Sequence, residues 1–356
     1  MSFYSTPLIA WTDRGLYCEA GNFHIDPHRG AENAIVTHAH SDHARRGSRR
    51  YLTVSSGVGL LKARLGHRVE VEAHDYGERF TMGSVEVSFH SAGHILGSAQ
   101  VRVESRISGE VWVASGDYKR DFDPSCEPFE PVRCDTFITE ATFGTPKYVW
   151  PEDDHGRRIR EWWTETASAG ENAILFGYSL GKAQRILAEL APHADRPILI
   201  HETMVETTEC YRREGRVLAA TQSLSERLAD LSDTQTLSGE LILAPPSILD
   251  QSWTKRLGRY RTAFASGWMI AARADREAEY GRGAGYDHGF ILSDHADWKG
   301  LNRTIDETGA RRVFVQHREG ALIRHLRSRG IDAHPADALR PENYVRLGGQ
   351  ALSLFG

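Results

Sequence analysis

The sequence contains few cysteines, and they show no pairing pattern. Four occur in 356 residues without a CxxC motif, at Cys18, Cys126, Cys134 and Cys210. A chain of this length buries a sizeable hydrophobic core without covalent cross-links. We therefore predict reduced thiols, which are typical of a cytoplasmic protein, and exclude a disulfide-rich scaffold.

Long apolar runs are also missing. The first residues lack the basic and apolar regions of a signal peptide, since the apolar run 8–11 ends before Asp13 and Arg14. No stretch approaches the roughly 18 apolar residues that cross a membrane. We therefore expect no signal peptide, no membrane contact and a cytoplasmic location.

Positive charge is not in excess. The 43 Lys and Arg residues face 48 Asp and Glu residues, which gives a formal net charge of −5. This balance excludes a strongly basic protein that coats nucleic acid, because any polyanion must meet a local positive feature. Histidine, in contrast, is abundant, with 17 residues.

Alternating segments predict an α/β protein in which one domain is inserted into another. Strand-like apolar segments occur at 16–18, 34–37, 85–89, 111–113, 137–139, 173–176, 197–200, 241–243, 290–292 and 313–315. The proline-rich and charged segment 144–157 is typical of a linker. Beyond it strands alternate with helical patterns, which indicates a small parallel sheet. Helices are expected at 298–308 and 321–329.

A dense group of potential metal ligands follows the strand at 34–37. In the sequence THAHSDHA these are His38, His40, Asp42 and His43. Their polar atoms would be costly to bury without partners. Imidazole and carboxylate together suit Zn²⁺, Mn²⁺ or Fe²⁺, and the lack of thiolate argues against a closed structural zinc site.

Three further candidate ligands follow other strands. His94 lies in SAGHILG, Asp117 in ASGDYKRD and His295 in LSDHADW. Each alone is more often an ordinary surface or turn residue. Ligands that follow several strands of one sheet can converge at its edge, however.

The order of these residues resembles the metallo-β-lactamase fold. Asp26 in FHIDP matches the aspartate that orients a ligand histidine, and Glu140 in TEATFG matches the acidic residue of the β-CASP branch. The segments GLYCEAGNFHIDP, THAHSDHARRGSRRY, YSLGKAQ and LSDHADW are most similar to the bacterial ligase-associated DNA exonucleases, relatives of Artemis and Apollo. The resemblance covers nearly the whole chain.

This resemblance implies an αββα sandwich interrupted by an inserted β-CASP α/β lid domain. The implied boundaries are residues 1–145 and 268–356 for the sandwich and 146–267 for the insertion. It also implies two divalent metal ions, zinc or manganese. One would be held by His38, His40 and His94 and the other by Asp42, His43 and His295, with Asp117 between them. The residues expected to take part in catalysis are Asp42, Asp117, Glu140 and His317.

His317, in VFVQHREG, matches a later histidine of the family, but the residue after it departs from the family's pattern. It is followed by Arg318 where the resemblance leads us to expect glycine. Its role, as an acid for the leaving group or as a phosphate ligand, therefore stays open.

Two segments bear on the substrate. Arg45, Arg46, Arg49 and Arg50 form either a solvated basic loop or a phosphate contact. Ser179, Gly181 and Lys182 in GYSLGKAQ lie at a predicted helix start, which favours either simple capping or anion binding. The similar segment in the Artemis and Apollo relatives contacts a terminal phosphate, which implies a phosphate pocket here.

The function that the resemblance implies is hydrolysis of single-stranded DNA from the 5′ end during repair. An ATP-dependent DNA ligase and a helicase would be its functional partners. The alternatives are a β-CASP ribonuclease, a small-molecule metallo-hydrolase and a non-catalytic scaffold. The inserted domain argues against the small-molecule enzyme, and the complete ligand set argues against the scaffold.

Overall fold

The described residues of this computed structural model are 7–232, 234–248, 256–270, 285–317, 320–341 and 343. They fall into two compact units. Unit 1 lies within residues 1–121, 127–146 and 295–356, and unit 2 lies within residues 122–126 and 147–294. The chain thus leaves unit 1, forms unit 2 and returns to unit 1.

Strands and helices alternate along the described chain. The strands are β1 (Ala10–Thr12), β2 (Gly15–Cys18), β3 (Phe23–Ile25), β4 (Asn33–Ile35), β5 (Arg50–Val54), β6 (Val71–His74), β7 (Arg79–Met82), β8 (Val85–Ser91), β9 (Ala99–Ser105), β10 (Val111–Ala114), β11 (Thr136–Thr139), β12 (Asn172–Phe176), β13 (Ile198–Ile200), β14 (Thr221–Ser223), β15 (Leu241–Ala244), β16 (Tyr260–Ala265), β17 (His288–Phe290), β18 (Arg312–Val315) and β19 (Asp332–Pro335). The helices are α1 (Val58–Leu65), α2 (His155–Ser168), α3 (Lys182–Leu190), α4 (Val205–Arg213), α5 (Leu224–Ala229), α6 (Trp298–Thr308) and α7 (Gly320–Ser328).

Unit 1 contains two sheets that pack face to face. One has the order β1-β2-β3-β4-β5-β6 and the other has the order β19-β18-β11-β10-β9-β8-β7. Val85, Val87 and Phe89 alternate along β8 and turn inward, where Phe23 and Leu52 of the other sheet meet them in one buried cluster. Each such side chain contributes about 1.5–3 kcal/mol on burial.

Helices cover the outer faces of both sheets of unit 1. Leu61 and Leu65 of α1 pack with Val36 beside the first sheet. Leu301 of α6 and Leu322 of α7 belong to a cluster with strand residues of the second sheet. The layers are therefore helix, sheet, sheet and helix, as the resemblance to the metallo-β-lactamase fold implies.

Unit 2 is built on a parallel sheet with the order β14-β13-β15-β12-β16-β17. Ala173 and Leu175 of β12 join one buried cluster, which includes α2 and α3. Ile174 and Phe176 point into a second cluster, which includes α5. A strand covered on both faces is apolar throughout, which explains the unbroken run AILF.

The positions of two segments differ from the sequence-based expectation. The expected linker 144–157 ends inside a helix, because α2 begins at His155 after Asp154 caps it by accepting from Arg157 N at 2.9 Å. The segment near 290, expected in the sandwich, forms β17 and pairs with β16 in unit 2. The second division of the chain thus falls after Asp294, compared with the expected boundary at 267.

Candidate metal centre

Most of the predicted site residues follow the ends of strands in unit 1. The group from His38 to His43 comes after β4, His94 after β8, Asp117 after β10 and Glu140 after β11. The structure brings most of their side chains into one cluster.

Four of these residues converge on one point. The ligand atoms of His38, His40, His94 and Asp117 all lie within 4.8 Å of one another. His40 Nδ1 lies 3.0 Å from His38 Nε2 and 3.1 Å from His94 Nε2. The Asp117 Oδ2 atom is 3.7 Å from His38 Nε2 and 3.9 Å from His94 Nε2.

This arrangement suits a divalent cation. Three imidazole nitrogens face one another, and a single proton on His40 Nδ1 cannot serve both neighbours at once. A cation between them would satisfy all three nitrogens, and tetrahedral ligands at about 2.0–2.1 Å from zinc stand about 3.3 Å apart. His38 and His94 are almost completely buried, so solvent water has little access to their ring nitrogens in place of a cation.

A second group shares Asp117 with the first. The ligand atoms of Asp117, Glu140 and His295 lie within 4.8 Å of one another. His295 Nδ1 is 3.0 Å from both carboxylate oxygens of Glu140, and Glu140 Oε1 also accepts from Tyr118 N at 2.7 Å. Glu140 is buried, so these contacts fix the plane and tautomer of the His295 ring.

Asp26 holds the other end of the first motif. Its carboxylate accepts from Thr37 N at 2.8 Å and from Thr37 Oγ1 at 2.6 Å, and it lies 2.7 Å from His43 Nδ1. His43 Nε2 therefore points away from Asp26, towards Asp117 Oδ2 at 3.4 Å. The Asp42 side chain is 68% exposed, with Oδ2 3.7 Å from His43 Nε2.

Thr37, which no sequence pattern singled out, connects these groups. Its hydroxyl lies 3.1 Å from His38 Nδ1 and also donates to Asp26. Its place directly before His38 was the available signal.

Burial and charge shift the pKa values of three residues in the cluster. Burial and the neighbouring imidazoles hold the pKa of His38 well below its usual value. Burial alone would lower the pKa of His43, but the carboxylates of Asp117 and Asp26 outweigh it and raise that pKa well above 6.5. Burial would raise the pKa of Asp117, yet the imidazoles, His43 first, hold it well below its usual value. Neutral His38 and ionised Asp117 are the forms that bind metals.

Two glycines explain the local sequence around His94 and Asp117. Gly93 has φ +67° and a Cβ there would lie 2.7 Å from the Lys119 carbonyl oxygen. Gly116 has φ +56° and a Cβ would lie 2.8 Å from Thr37. Both turns therefore require glycine directly before the candidate ligand.

The expected phosphate-binding residues lie in unit 2 and already have partners. Ser179 Oγ is 3.2 Å from Thr203 Oγ1, and Gly181, at φ +86°, donates its N–H to Gln184 Oε1 at 2.8 Å. Lys182 is 3% exposed, and its Nζ donates to the Leu292 carbonyl at 2.6 Å. The same Nζ lies 3.0 Å from the Asp294 carboxylate. Phosphate binding by these residues stays a prediction.

His317 and the basic loop also lie in unit 1. His317 follows β18, is exposed and has φ +53°. It lines a cavity that Asp42 and His43 also line. Arg49 forms an ion pair with Glu32, and Arg50 forms one with Glu72.

Comparisons with known proteins identify partial relatives, and no family model matches the chain. It is 30% identical over 338 residues to a "Probable DNA ligase" of Opitutus terrae, covering 94% of this chain and 31% of that protein. It is 32% identical over 133 residues to "Endoribonuclease YSH1" of Gibberella zeae, covering 35% of this chain and 16% of the other. It is also 30% identical over 132 residues to "Endoribonuclease YSH1" of Saccharomyces cerevisiae, and the match covers 35% of this chain and 17% of that protein. The chain thus spans about a third or less of these relatives.

The fold is similar to that of a solved structure. It is a protein of unknown function from Enterococcus faecalis V583, with a TM-score of 0.51 and 11% identity, covering 80% of this chain and 74% of that one. Identity this low concerns the fold alone. Taken with the layers of units 1 and 2, the similarities confirm the predicted fold class, an α/β metallo-β-lactamase sandwich with an inserted β-CASP-type domain. No helix in the described ranges is long and apolar enough to cross a membrane.

Proposed function

We propose that the protein is a metal-dependent nuclease that hydrolyses phosphodiester bonds of single-stranded DNA from the 5′ end. The observation that carries this proposal is the convergence of His38, His40, His94 and Asp117 beside Glu140 and His295. The nuclease relatives support the reaction type, and the match along nearly the whole chain to a probable DNA ligase supports a role at DNA ends. A DNA ligase and a helicase are the proposed functional partners.

Two divalent ions, zinc or manganese, are the proposed cofactors. His38, His40 and His94 would hold one ion, and Asp42, His43 and His295 would hold the other. Asp117 lies within reach of both groups, since its carboxylate is 3.7 Å from His38 Nε2 and 3.4 Å from His43 Nε2. When bound, such a pair of ions supplies an activated water and neutralises charge on the phosphate.

The residues around the ligands would orient them. Asp26 accepts from one nitrogen of His43, so the opposite nitrogen faces Asp117. Glu140 does the same for His295 from a buried position. His317, at the rim of the adjoining cavity, is the proposed proton donor or phosphate contact for the leaving group.

A ribonuclease is the second candidate. The relatives from Gibberella zeae and Saccharomyces cerevisiae are endoribonucleases, and the ligand set alone does not distinguish DNA from RNA. Matched DNA and RNA substrates therefore belong in the same test.

The test is digestion of a linear single strand labelled at the 5′ or the 3′ end, beside a circular strand of the same sequence. Early release of short products from the 5′ label, slow loss of the 3′ label and an intact circle would support the proposal. Cutting of the circle, or faster digestion of RNA than DNA, would favour a β-CASP endonuclease or ribonuclease. Asp117→Ala serves as the inactive control.

A further inference from the structure

Unit 1 contains a cavity of about 440 Å³ beside the candidate metal centre. Asp42 and His43 line one part of it, and Trp11, His28 and Arg45 line others. Cavities of about 300–1,000 Å³ are of the size that holds small-molecule ligands or parts of larger ones. The cavity therefore offers a subsite next to the proposed reaction centre.

The walls of this cavity suit a flat aromatic group. Trp11 lies on β1, the edge strand of its sheet, and it is partly buried. Its register partner on β2 is Leu16, and partners in an antiparallel pair lie on the same face. Leu16 and Val315 add apolar surface to the cavity, and the His28 ring lies 6.3 Å from the Trp11 ring.

Backbone strain points to the same cavity. Among the described residues other than glycine, Asn22, Asp26 and His317 have positive φ. Asp26, at 46°, and His317, at 53°, both line the cavity. Such conformations cost free energy and concentrate at binding and catalytic sites.

One cation at the cavity, Arg45, can contact a phosphate, while Asp26, Asp42 and Asp337 also line the cavity. Arg45 is exposed, and within the described ranges its guanidinium has no hydrogen bond or ion pair, whereas Arg49 and Arg50 each pair with a glutamate. A guanidinium binds phosphate through its planar fork and is always charged. In a chain with net charge −5, Arg45 is thus a cation that lines the same cavity as Trp11 and is available to a phosphate.

We propose that this cavity binds one nucleotide of the substrate next to the bond that is cut. Trp11 stacks on its base and Arg45 contacts its phosphate. The assignment rests on the proposed nuclease function. Because every base has a π-face, the subsite accepts all four bases.

Binding to metal-free protein tests the subsite apart from catalysis. The dissociation constant of a short single-stranded DNA is measured by fluorescence polarisation in EDTA, with each base replaced in turn by an abasic residue. Stacking of one base is worth about 5- to 150-fold in affinity, so we expect Trp11→Ala to weaken binding about tenfold or more. Trp11→Phe, which keeps an aromatic face, should stay within a few-fold of wild type.

The abasic series identifies the base that Trp11 contacts. In wild type, loss of one base should weaken binding, and in Trp11→Ala loss of that same base should have no further effect. Trp11→Leu keeps apolar volume but lacks the π-face. It replaces Trp11→Ala if that variant does not fold, and the same pattern of binding is expected. Trp298→Ala is the matched control, since Trp298 lies in unit 1 outside this cavity.

Failure of the subsite and failure of the proposed function are distinguishable. Suppose that wild type cleaves DNA, but Trp11→Ala abolishes the effect of no abasic replacement on binding. The subsite is then refuted, and the nuclease proposal stands. Suppose instead that wild type cleaves no nucleic acid, but Trp11→Ala abolishes the effect of one abasic replacement on binding. The cavity is then a nucleotide site, and the nuclease proposal fails. Arg45→Gln should lower the salt dependence of binding, and an unchanged dependence would overturn its role.

Discussion

Replacement of Lys182 by methionine separates two explanations for the segment YSLGKAQ. The Lys182 ammonium is buried, donates to the Leu292 carbonyl at 2.6 Å and lies 3.0 Å from the Asp294 carboxylate. Both side chains of the ion pair are less than a tenth exposed. Arg185, one turn further along α3, donates to the next carbonyl, that of Ser293.

The cost of this change follows from the uncompensated charge that remains. Removing one partner of a buried ion pair costs about 3–5 kcal/mol, because the other charge stays buried. In the double variant Lys182→Met with Asp294→Leu, both charges are gone, and the loss of the donor to the Leu292 carbonyl costs about 1–3 kcal/mol. We therefore expect the single variant to be less stable than the double variant.

The measurement is urea-induced unfolding of the full chain, followed by pulsed hydrogen exchange and mass spectrometry. This method reports peptides of β12 and α3 apart from those of unit 1. The control is Arg157→Met, because the exposed pair of Arg157 with Glu161 at 3.0 Å is worth about 0.3–0.5 kcal/mol. Unchanged stability of Lys182→Met, together with weaker and less salt-dependent DNA binding, would refute the structural role and support the phosphate pocket.

Further predictions concern the metal centre and the response to pH. Asp117→Ala should fold, lose nuclease activity by orders of magnitude and bind fewer than two ions per chain, which metal analysis measures; full activity would contradict the role of this carboxylate. Asp26→Asn and Glu140→Gln should each weaken metal binding about 10- to 100-fold in chelator competition, since each replaces a carboxylate that orients a histidine by a neutral amide with one acceptor oxygen fewer; unchanged affinity would exclude the orienting role. Burial, assisted by the charge of Arg185, lowers the pKa of His155 from 6.5 to about 4. The unfolded chain then binds more protons in that window, so stability falls as pH falls from 6.5 towards 4, by up to about 1.4 kcal/mol per pH unit. His155→Gln should lack this loss in urea unfolding, and equal pH dependence would refute it.

Residue type and local spacing were enough to predict the alternation of strands and helices and to single out candidate metal ligands, whereas the four layers were implied by the resemblance to the metallo-β-lactamase fold. Val85, Val87 and Phe89 alternate as a strand with one buried face must, and they do point into the core. His38 and His40 stand two residues apart after a strand, which limits where their side chains can meet. Each of these patterns involves residues that are only a few positions apart in the sequence.

Contacts between distant residues could not be predicted in this way. Glu140 and His295 are 155 residues apart, and their 3.0 Å contact exists only because the chain leaves unit 1 and returns. Trp11 and Arg45 carried no pattern that linked them, and the cavity that both line is a product of packing. The partner of Lys182 was hidden for the same reason, since Leu292 follows it by 110 residues.

The state of each cation decides which one is available to a substrate phosphate. A charge that is already paired in a buried site has lost its hydration and gained a partner, so binding a phosphate would first require breaking that pair. Lys182 is in this state, and Arg185 lies 3.6 Å from the buried carboxylate of Asp123. Arg45 is exposed and, within the described part of the chain, has no such partner. A glycine-lysine pair at a helix start can therefore serve either phosphate binding or a structural ion pair, and the partner of the lysine decides between the two. We expect the residues that attract the nucleic-acid backbone to lie in unit 1 near the metal ligands, and Arg45→Gln to lower the salt dependence of DNA binding more than Lys182→Met does.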